Sequence, residues 1–317
     1  MKLKVLVTGA AGDIGSRLSK ALSVRDDIEL YTTALEPLDG VNSFHQVFDV
    51  RDESFLSWVK QIKPDVVVHL ASIIKLPASM TIEDAHDIDV KATDKLLQAC
   101  LSVDVKKFIV TSSGAAYGYW KDNPEWLTED MPVRGNKDYF YSDHKRQVEE
   151  LLAGYRETHP QLQQVVLRPG TVLGPNFENP ITNMFEKKVI SGIKNCDSPF
   201  VIIWVDDLVQ YLIESCVSDV QGVFNVAGDG VLSLQDIAKR LNKPFIAVPA
   251  FLIKAVLGCL KPLGLSQYGP EQVKFVQYRP VLSNQKIKQK FSHQPEKTTA
   301  QAFEVFLEKS EKEYENS

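Results

Sequence analysis

Long hydrophobic runs, cysteine clusters and basic blocks are all scarce in this 317-residue chain. The four cysteines, Cys100, Cys196, Cys216 and Cys259, stand far apart and form no C-x-x-C. No metal site is read from them, and reduced thiols in a cytoplasmic protein are expected. Net charge is −5, and the cations form only short pairs such as Lys187-Lys188, which is no footprint for nucleic acid. The most apolar stretch, PAFLIKAVLGCLKPLGL at 249–265, is broken by Lys254, Lys261 and Pro262. It is too short and too charged to span a bilayer. A buried helix, the wall of an apolar site, or contact with a membrane surface remain open for it. Repeats and low-complexity segments are missing too. No signal peptide is read, because MKLKVLVTGA is already strand and turn.

What is present is an ordinary globular composition, 44% hydrophobic and 24% charged, sufficient for one large domain or two smaller ones. Short β-rich runs alternate with amphipathic stretches, the pattern of a parallel sheet covered by helices on both faces. Strands are expected at 3–9, 28–33, 43–50, 65–71, 106–113 and 163–170, and helices at 13–23, 53–62, about 84–102 and about 139–158. Beyond Gly174 the alternation breaks up. A loop is expected at 175–180, a helix near 181–191, strands at 200–205 and 222–228, and helices opening at Asp206-Asp207 and at Ser233. This tail reads as a cap that returns some strands to the sheet. EKSEKEYENS at the end reads as a charged helix end or a frayed tail.

VTGAAGDIG at 7–15 places Gly9, Gly12 and Gly15 between a strand and a helix. Gly9 permits a sharp turn, Gly12 removes a side chain where a pyrophosphate would approach, and Gly15 permits close helix–strand packing. The helix start at Asp13 and Ile14 offers N–H groups and positive potential to phosphate. The cofactor selector is open. Tyr31, Thr32 and Thr33 end the second strand, with neither acid nor arginine, and Glu36 follows late. NAD is expected, with NADP kept open by Arg17. Asp49 and Val50 can meet an adenine edge, or Asp49 can cap the next helix, as Asp52 equally can.

Tyr141 and Lys145 in YSDHK are four apart, so they share a helix face. A phenol near its usual pKa of about 10 is a weak base at neutral pH. An ammonium one turn away favours the phenolate and lowers that pKa.

Taken in order, TGAAGDIG, FDVRD, HLAS, TSSGAAYG, YSDHK, VVLRPGTVLGP and WVDDLV resemble the extended short-chain dehydrogenase/reductase superfamily, the NAD-dependent epimerase/dehydratase family. The resemblance implies a Rossmann-type doubly wound parallel sheet with a smaller C-terminal substrate-binding cap. The dinucleotide domain would be 1–174, with segments around 200–228 returning to it, and 175–317 mainly cap. It implies catalysis by Ser113, Tyr141 and Lys145, with Ser112 and Tyr139 set aside. Leu70, Ala71, Lys145 and Pro169 would join the glycine turn at the cofactor, and Pro169-Gly170 would orient the carboxamide. Ser113, Tyr141 and Thr171 would face a small-molecule substrate. A homodimer through the helices at about 85–102 and 139–158 is implied as well.

Three departures narrow the reaction. The nucleotide-sugar 4,6-dehydratases carry an acid pair where Gly114 and Ala115 stand here, so that elimination is not expected. Asp89 replaces the family's asparagine in DVKAT, so either its network is rearranged or it meets a cation such as Lys75. Thr171 stands where sugar-nucleotide epimerases carry an asparagine for the diphosphate. Asn176 is out of register, and Arg134 and Arg279 are the isolated cationic candidates. The expected activity is NAD(P)-dependent oxidoreduction at a carbinol or keto carbon. Its forms are a nucleotide-sugar epimerase, a dehydrogenase/reductase of an apolar steroid-like or alkyl substrate, or a non-enzymatic dinucleotide sensor.

Overall fold

A computed structural model of the chain describes residues 1–175, 177, 181–197, 199–265 and 269–315, with side chains to 308. Asn176, most of the 175–180 loop and the end of the charged tail lie outside the described residues.

The first part runs β1 (Leu3–Thr8), α1 (Asp13–Ser23), β2 (Ile28–Ala34), β3 (Phe44–Val47), α2 (Glu53–Ile62), β4 (Val66–His69), α3 (Ile82–His86), α4 (Ala92–Ser102), β5 (Lys107–Thr111), α5 (Phe140–Thr158) and β6 (Gln163–Pro169). The second part runs β7 (Thr171–Leu173), α6 (Thr182–Phe185), β8 (Ile190–Ile193), β9 (Ile202–Trp204), α7 (Val205–Val217), β10 (Gly222–Val226), α8 (Leu234–Arg240), β11 (Phe245–Val248), α9 (Ala250–Leu260), α10 (Val273–Gln277), α11 (Gln285–Lys290) and α12 (Thr299–Glu315).

Seven strands form one parallel sheet in the order β10-β6-β5-β4-β1-β2-β3. Their composition explains it: LKVLVT, VVVH and KFIVT are β-branched and buried on both faces, as parallel strands between helix layers must be. On one face Val5, Val7 and Ile109 pack with Leu18 of α1 and Leu208 and Leu212 of α7. On the other, Leu6, Val67 and Phe108 pack with Phe55 of α2, Leu96 of α4 and Leu152 of α5. Each fully buried aliphatic side chain contributes about 1.5–3 kcal/mol. The strand order reverses beside β1, so the crevice at the carboxyl ends of β1 and β4 is where a doubly wound sheet places its ligand.

β10, from the tail, completes the sheet beside β6. Two small parallel pairs, β7 with β9 and β8 with β11, lie outside it. Around them Phe185, Phe200, Trp204, Ile237 and Phe303 form a separate core.

Several expectations need correction. The helix expected at 84–102 is α3 and α4 joined by a π-helical turn, Asp87–Lys91, which makes room for Asp89. The helix expected near 181–191 is only one turn, and β8 follows, because Ile190 and Ile193 pair with β11. β3 is shorter than 43–50 and is an exposed edge strand. The 249–265 segment does form a helix, α9, but no residue of it is buried. It leans on α10 and the 270–272 turn along one side, and its apolar residues run all the way round. The buried-helix reading fails for that reason.

Candidate active site

The glycine turn sits at the crevice. Gly9 has φ +66°, and a Cβ there would lie 2.7 Å from Ala71 N, so a side chain is excluded both by conformation and by contact. A Cβ at Gly15 would lie 2.1 Å from Gly9 O. At Gly12 the nearest atom to a Cβ is Gly9 O, at 3.3 Å. Packing within the chain thus excludes a side chain at Gly12 far less strictly than at Gly9 or Gly15. It is also the N-cap of α1 and supplies no side-chain cap. The amide end of that helix, Asp13 and Ile14 onward, is the positive end of the dipole and faces the turn. Leu70 N reaches Thr8 O at 3.3 Å and Ala71 N reaches Thr8 Oγ1 at 3.4 Å, which lays the segment after β4 beside the turn. This cradle, closed to side chains but lined by amides, fits a dinucleotide pyrophosphate.

The rest of the cofactor set is placed as follows. Val50 is buried. The Asp49 carboxylate accepts from Arg51 N at 2.9 Å and from its Nη2 at 2.6 Å. The Arg51 hydrogen bond holds it below the usual carboxylate range against its partial burial, so an adenine would have to share it. Asp52 takes the N-cap position of α2, with no side-chain cap bond. Arg17 Nη2 donates to Pro175 O at 3.1 Å, and its guanidinium lies over the Phe177 ring. It is thus held toward the 175–177 segment. Glu36 is exposed. Pro169 ends β6 opposite Val226. Gly170 follows where a Cβ would lie 2.6 Å from Val201 O. Thr171, half-buried, begins β7 and donates its N–H to Val201 O at 2.9 Å.

Ser113 and Tyr141 are brought together, and Lys145 stands behind the ring. Ser113 caps a 3-10 turn, Gly114–Tyr117, its Oγ accepting from Ala115 N at 3.1 Å. Its hydroxyl is near enough to the Tyr141 phenol to favour the phenolate. Ser112 points elsewhere: its hydroxyl donates to Glu149 Oε1 at 2.5 Å. Glu149 in turn accepts from Arg168 Nε and Nη2 in a buried pair. Lys145 is 7% exposed and donates from Nζ to Thr111 O at 3.1 Å. Its Nζ lies 5.7 Å from the Tyr141 ring centroid.

The electrostatics correct one expectation. Burial pushes the Tyr141 phenol up to about 12; the Ser113 hydroxyl opposes this, and Tyr119 and Asp89 add to it. Burial also lowers the Lys145 ammonium, while Asp89 and Glu149 raise it. Without a ligand, burial dominates and Tyr141 is a neutral phenol.

Asp89 is the residue whose role the sequence least discloses. It is buried, and Oδ1 accepts from Ile73 N at 2.8 Å and Ser72 Oγ at 2.9 Å. Oδ2 is 2.9 Å from His144 Nδ1. Burial works against the carboxylate, yet the His144 bond, the Lys145 charge and the Ile73 and Ser72 donors hold it below its usual range. Its network is rearranged onto His144; Lys75 is exposed. A cavity of about 10 Å³, the size of one water, separates His69, Asp89, Thr93, Thr111 and Lys145. His144 is missed by sequence reasoning although it lies inside YSDHK. Its helical position, three residues after Tyr141, is the signal that could have found it.

On the open side, the rings of Tyr119, Tyr139 and Phe275 pack together next to Tyr141. Arg279 is close enough to interact with Tyr119 and Tyr139; its guanidinium lies 3.9 Å from the Phe200 ring centroid, and its Nε is buried with no hydrogen-bond partner among the described residues. Arg134 pairs with Asp122 at 2.7 Å instead. Among the described residues there is no group of side chains arranged to hold a metal ion. Nor, among them, is any helix long and apolar enough to cross a membrane.

Comparison with known proteins agrees with this geometry. An uncharacterized protein of Mycobacterium tuberculosis is 22% identical over 312 residues, covering 96% of this chain and 83% of its own length. A UDP-glucose 4-epimerase of Lactobacillus helveticus is 31% identical over 186 residues, covering 56% of this chain and 54% of its own. The solved UDP-glucose 4-epimerase of Thermotoga maritima, with UDP-glucose, has a TM-score of 0.75 at 19% identity, over 98% of this chain and 100% of that one. The family model for the NAD dependent epimerase/dehydratase family matches residues 5–211. The doubly wound sheet, the glycine cradle and that match together show that the chain belongs to this family of NAD-dependent enzymes.

Proposed function

We propose that the protein is an NAD-dependent epimerase acting at a carbinol carbon of a nucleotide-linked sugar. The observation that carries this reading is the grouping of the Ser113 hydroxyl, the Tyr141 phenol and Lys145 at the crevice that also holds the glycine turn. NAD, when bound, supplies the two-electron acceptor and, in its oxidised form, a positively charged ring. The chain's residues handle the proton and the orientation. The Ser113 hydroxyl holds the substrate oxygen, Tyr141 takes or returns its proton, and Lys145 favours the anionic phenol. Gly9, Gly12, Asp13, Ile14, Gly15, Leu70, Ala71, Asp49, Val50 and Pro169 would hold the cofactor.

Two features favour an anionic, nucleotide-linked substrate over an apolar one. The apolar helix that suggested a greasy pocket is exposed and does not wall the site with buried residues. Arg279, with its unpartnered Nε, sits with the aromatic cluster next to Tyr141. Thr171, in place of the asparagine, favours the second reading, a net dehydrogenase. The same assignment proposes a cytoplasmic homodimer paired through α4 and α5.

Incubating the NAD-loaded protein with UDP-glucose tests the reading. Interconversion to the 4-epimer, without accumulation of reduced cofactor, supports it. Stoichiometric cofactor reduction supports the dehydrogenase, and the absence of both with every nucleotide sugar offered overturns it.

A further inference from the structure

Helix α9 and the turn after it present apolar side chains to solvent: Phe251, Leu252, Val256, Leu263 and Leu265 are 45–71% exposed. Single exposed apolar residues are normal, whereas a contiguous set marks an interaction surface. On the helix, Leu252, Val256 and Cys259 recur at i, i+4 and i+7 and form one stripe, with Ala255 beside it. Phe251 widens the exposed apolar face away from that stripe, and Lys254 and Lys261, seven apart, mark its far edge, well round the helix from Leu252 and Val256. Along the other side of the stripe lies a shallow groove of about 250 Å³, lined among the described residues by Val248, Leu252, Ile253, Val256 and Leu257.

The charge around this face is one-sided. From Ile237 to Pro270 the sequence carries Lys239, Arg240, Lys243, Lys254 and Lys261 and no aspartate or glutamate, in a chain whose net charge is −5. Two of these cations are offset by acids from elsewhere: Lys261 pairs with Glu271 at 2.5 Å, and Arg240 with Glu304 at 3.5 Å. Lys243 donates to Phe185 O. Lys254, on the apolar helix itself, is exposed.

We propose that this face docks on an anionic lipid surface, with α9 lying in the headgroup plane. An exposed apolar face with a lysine at its edge is the arrangement of an interfacial helix, the stem of Lys254 burying while its ammonium reaches the headgroups. A groove whose described lining is wholly aliphatic accepts part of an acyl chain and, among the described residues, offers nothing to a peptide backbone. A second copy fits poorly, since a two-fold interface would set the same lysines against each other. The inference is independent of the reaction assigned to the crevice.

Flotation of the full-length protein with two vesicle types tests it: phosphatidylcholine mixed with phosphatidylglycerol, and phosphatidylcholine alone. The protein is expected to float with the anionic vesicles and to be released in high salt. Leu252→Ser with Val256→Ser should reduce partitioning at least tenfold. Lys254→Glu should reduce it at least about fivefold, the worth of one cation at such a surface. Neither should change NAD binding, which also confirms that both variants fold. Several results would overturn the proposal. One is a wild type that floats with neither vesicle type, and another is both variants floating as the wild type does. A dimer in sedimentation that the double serine variant abolishes assigns the face to a second copy instead. Binding of an acidic peptide where vesicles do not bind also overturns it.

Discussion

Asp89 Oδ2 and His144 Nδ1 lie 2.9 Å apart, with both side chains almost fully buried at 3% and 4% exposure. The pair joins the π-helical turn to the helix that carries Tyr141 and Lys145.

Replacing Asp89 with Asn should therefore act through Lys145. The amide oxygen can still accept from Ile73 and Ser72, so the fold should survive with a loss of about 1–3 kcal/mol. The charge that raises Lys145 against its burial is gone. The ammonium should then lose its proton at lower pH, and the alkaline limb of the kcat/KM profile should move down. A profile identical to the wild type would restrict the pair to a structural role.

Gly12 and Gly15 should separate ligand binding from folding. A methyl group at Gly15 would meet Gly9 O at 2.1 Å and cannot be placed without moving backbone. Gly15→Ala should lower the melting temperature sharply. Gly12→Ala meets only Gly9 O, at 3.3 Å, so it should stay folded while NAD affinity falls about tenfold or more. Calorimetric titration with NAD, alongside thermal melts, reads both.

His69 should give the protein an acid-sensitive stability. Burial, with the Lys145 charge, pushes the imidazole down to about 4 from its usual 6.5, and Asp89 opposes this. Its ring bridges Thr8 Oγ1 at 2.7 Å and Thr93 Oγ1 at 3.0 Å. The depressed pKa means the unfolded chain binds the proton first as pH falls. The contribution is complete above pH ~6.5 and is lost as pH falls toward ~4, about 3 kcal/mol in all. Urea unfolding at pH 7 and pH 4.5 should show that slope in the wild type and a smaller one in His69→Gln.

Arg168 and Glu149 form a buried pair that also holds Ser112 and the Tyr117 hydroxyl. Arg168→Met leaves the buried Glu149 carboxylate without its paired cation, only the Ser112 hydroxyl still donating to it. It should cost about 3–5 kcal/mol in urea unfolding. A loss under 1 kcal/mol would mean that water reaches the pair.

Much of the sheet was legible because its signals are local. VVVH and KFIVT are continuous β-branched runs, and the glycines at 9, 12 and 15 punctuate a strand and a helix within a few residues. The Tyr141–Lys145 spacing was legible for the same reason. What escaped depends on distant partners. The sequence of DVKAT carries no sign of a π turn, which exists because Asp89 reaches His144, 55 positions away. β8 and β11 are weak alone and form by pairing with each other. The phenol's raised pKa escaped because burial is a property of the packed site, not of the Tyr–Lys spacing. The exposure of α9 escaped because an apolar helix reads the same whether it is covered or not.

The most direct measurement is turnover and NAD affinity of Tyr141→Phe beside the wild type. The substitution removes one oxygen and leaves the ring next to Tyr139 and Lys145. Turnover is predicted to fall about 10²–10⁴-fold with NAD affinity unchanged. Wild-type turnover in the variant would contradict the assignment of the proton to this phenol.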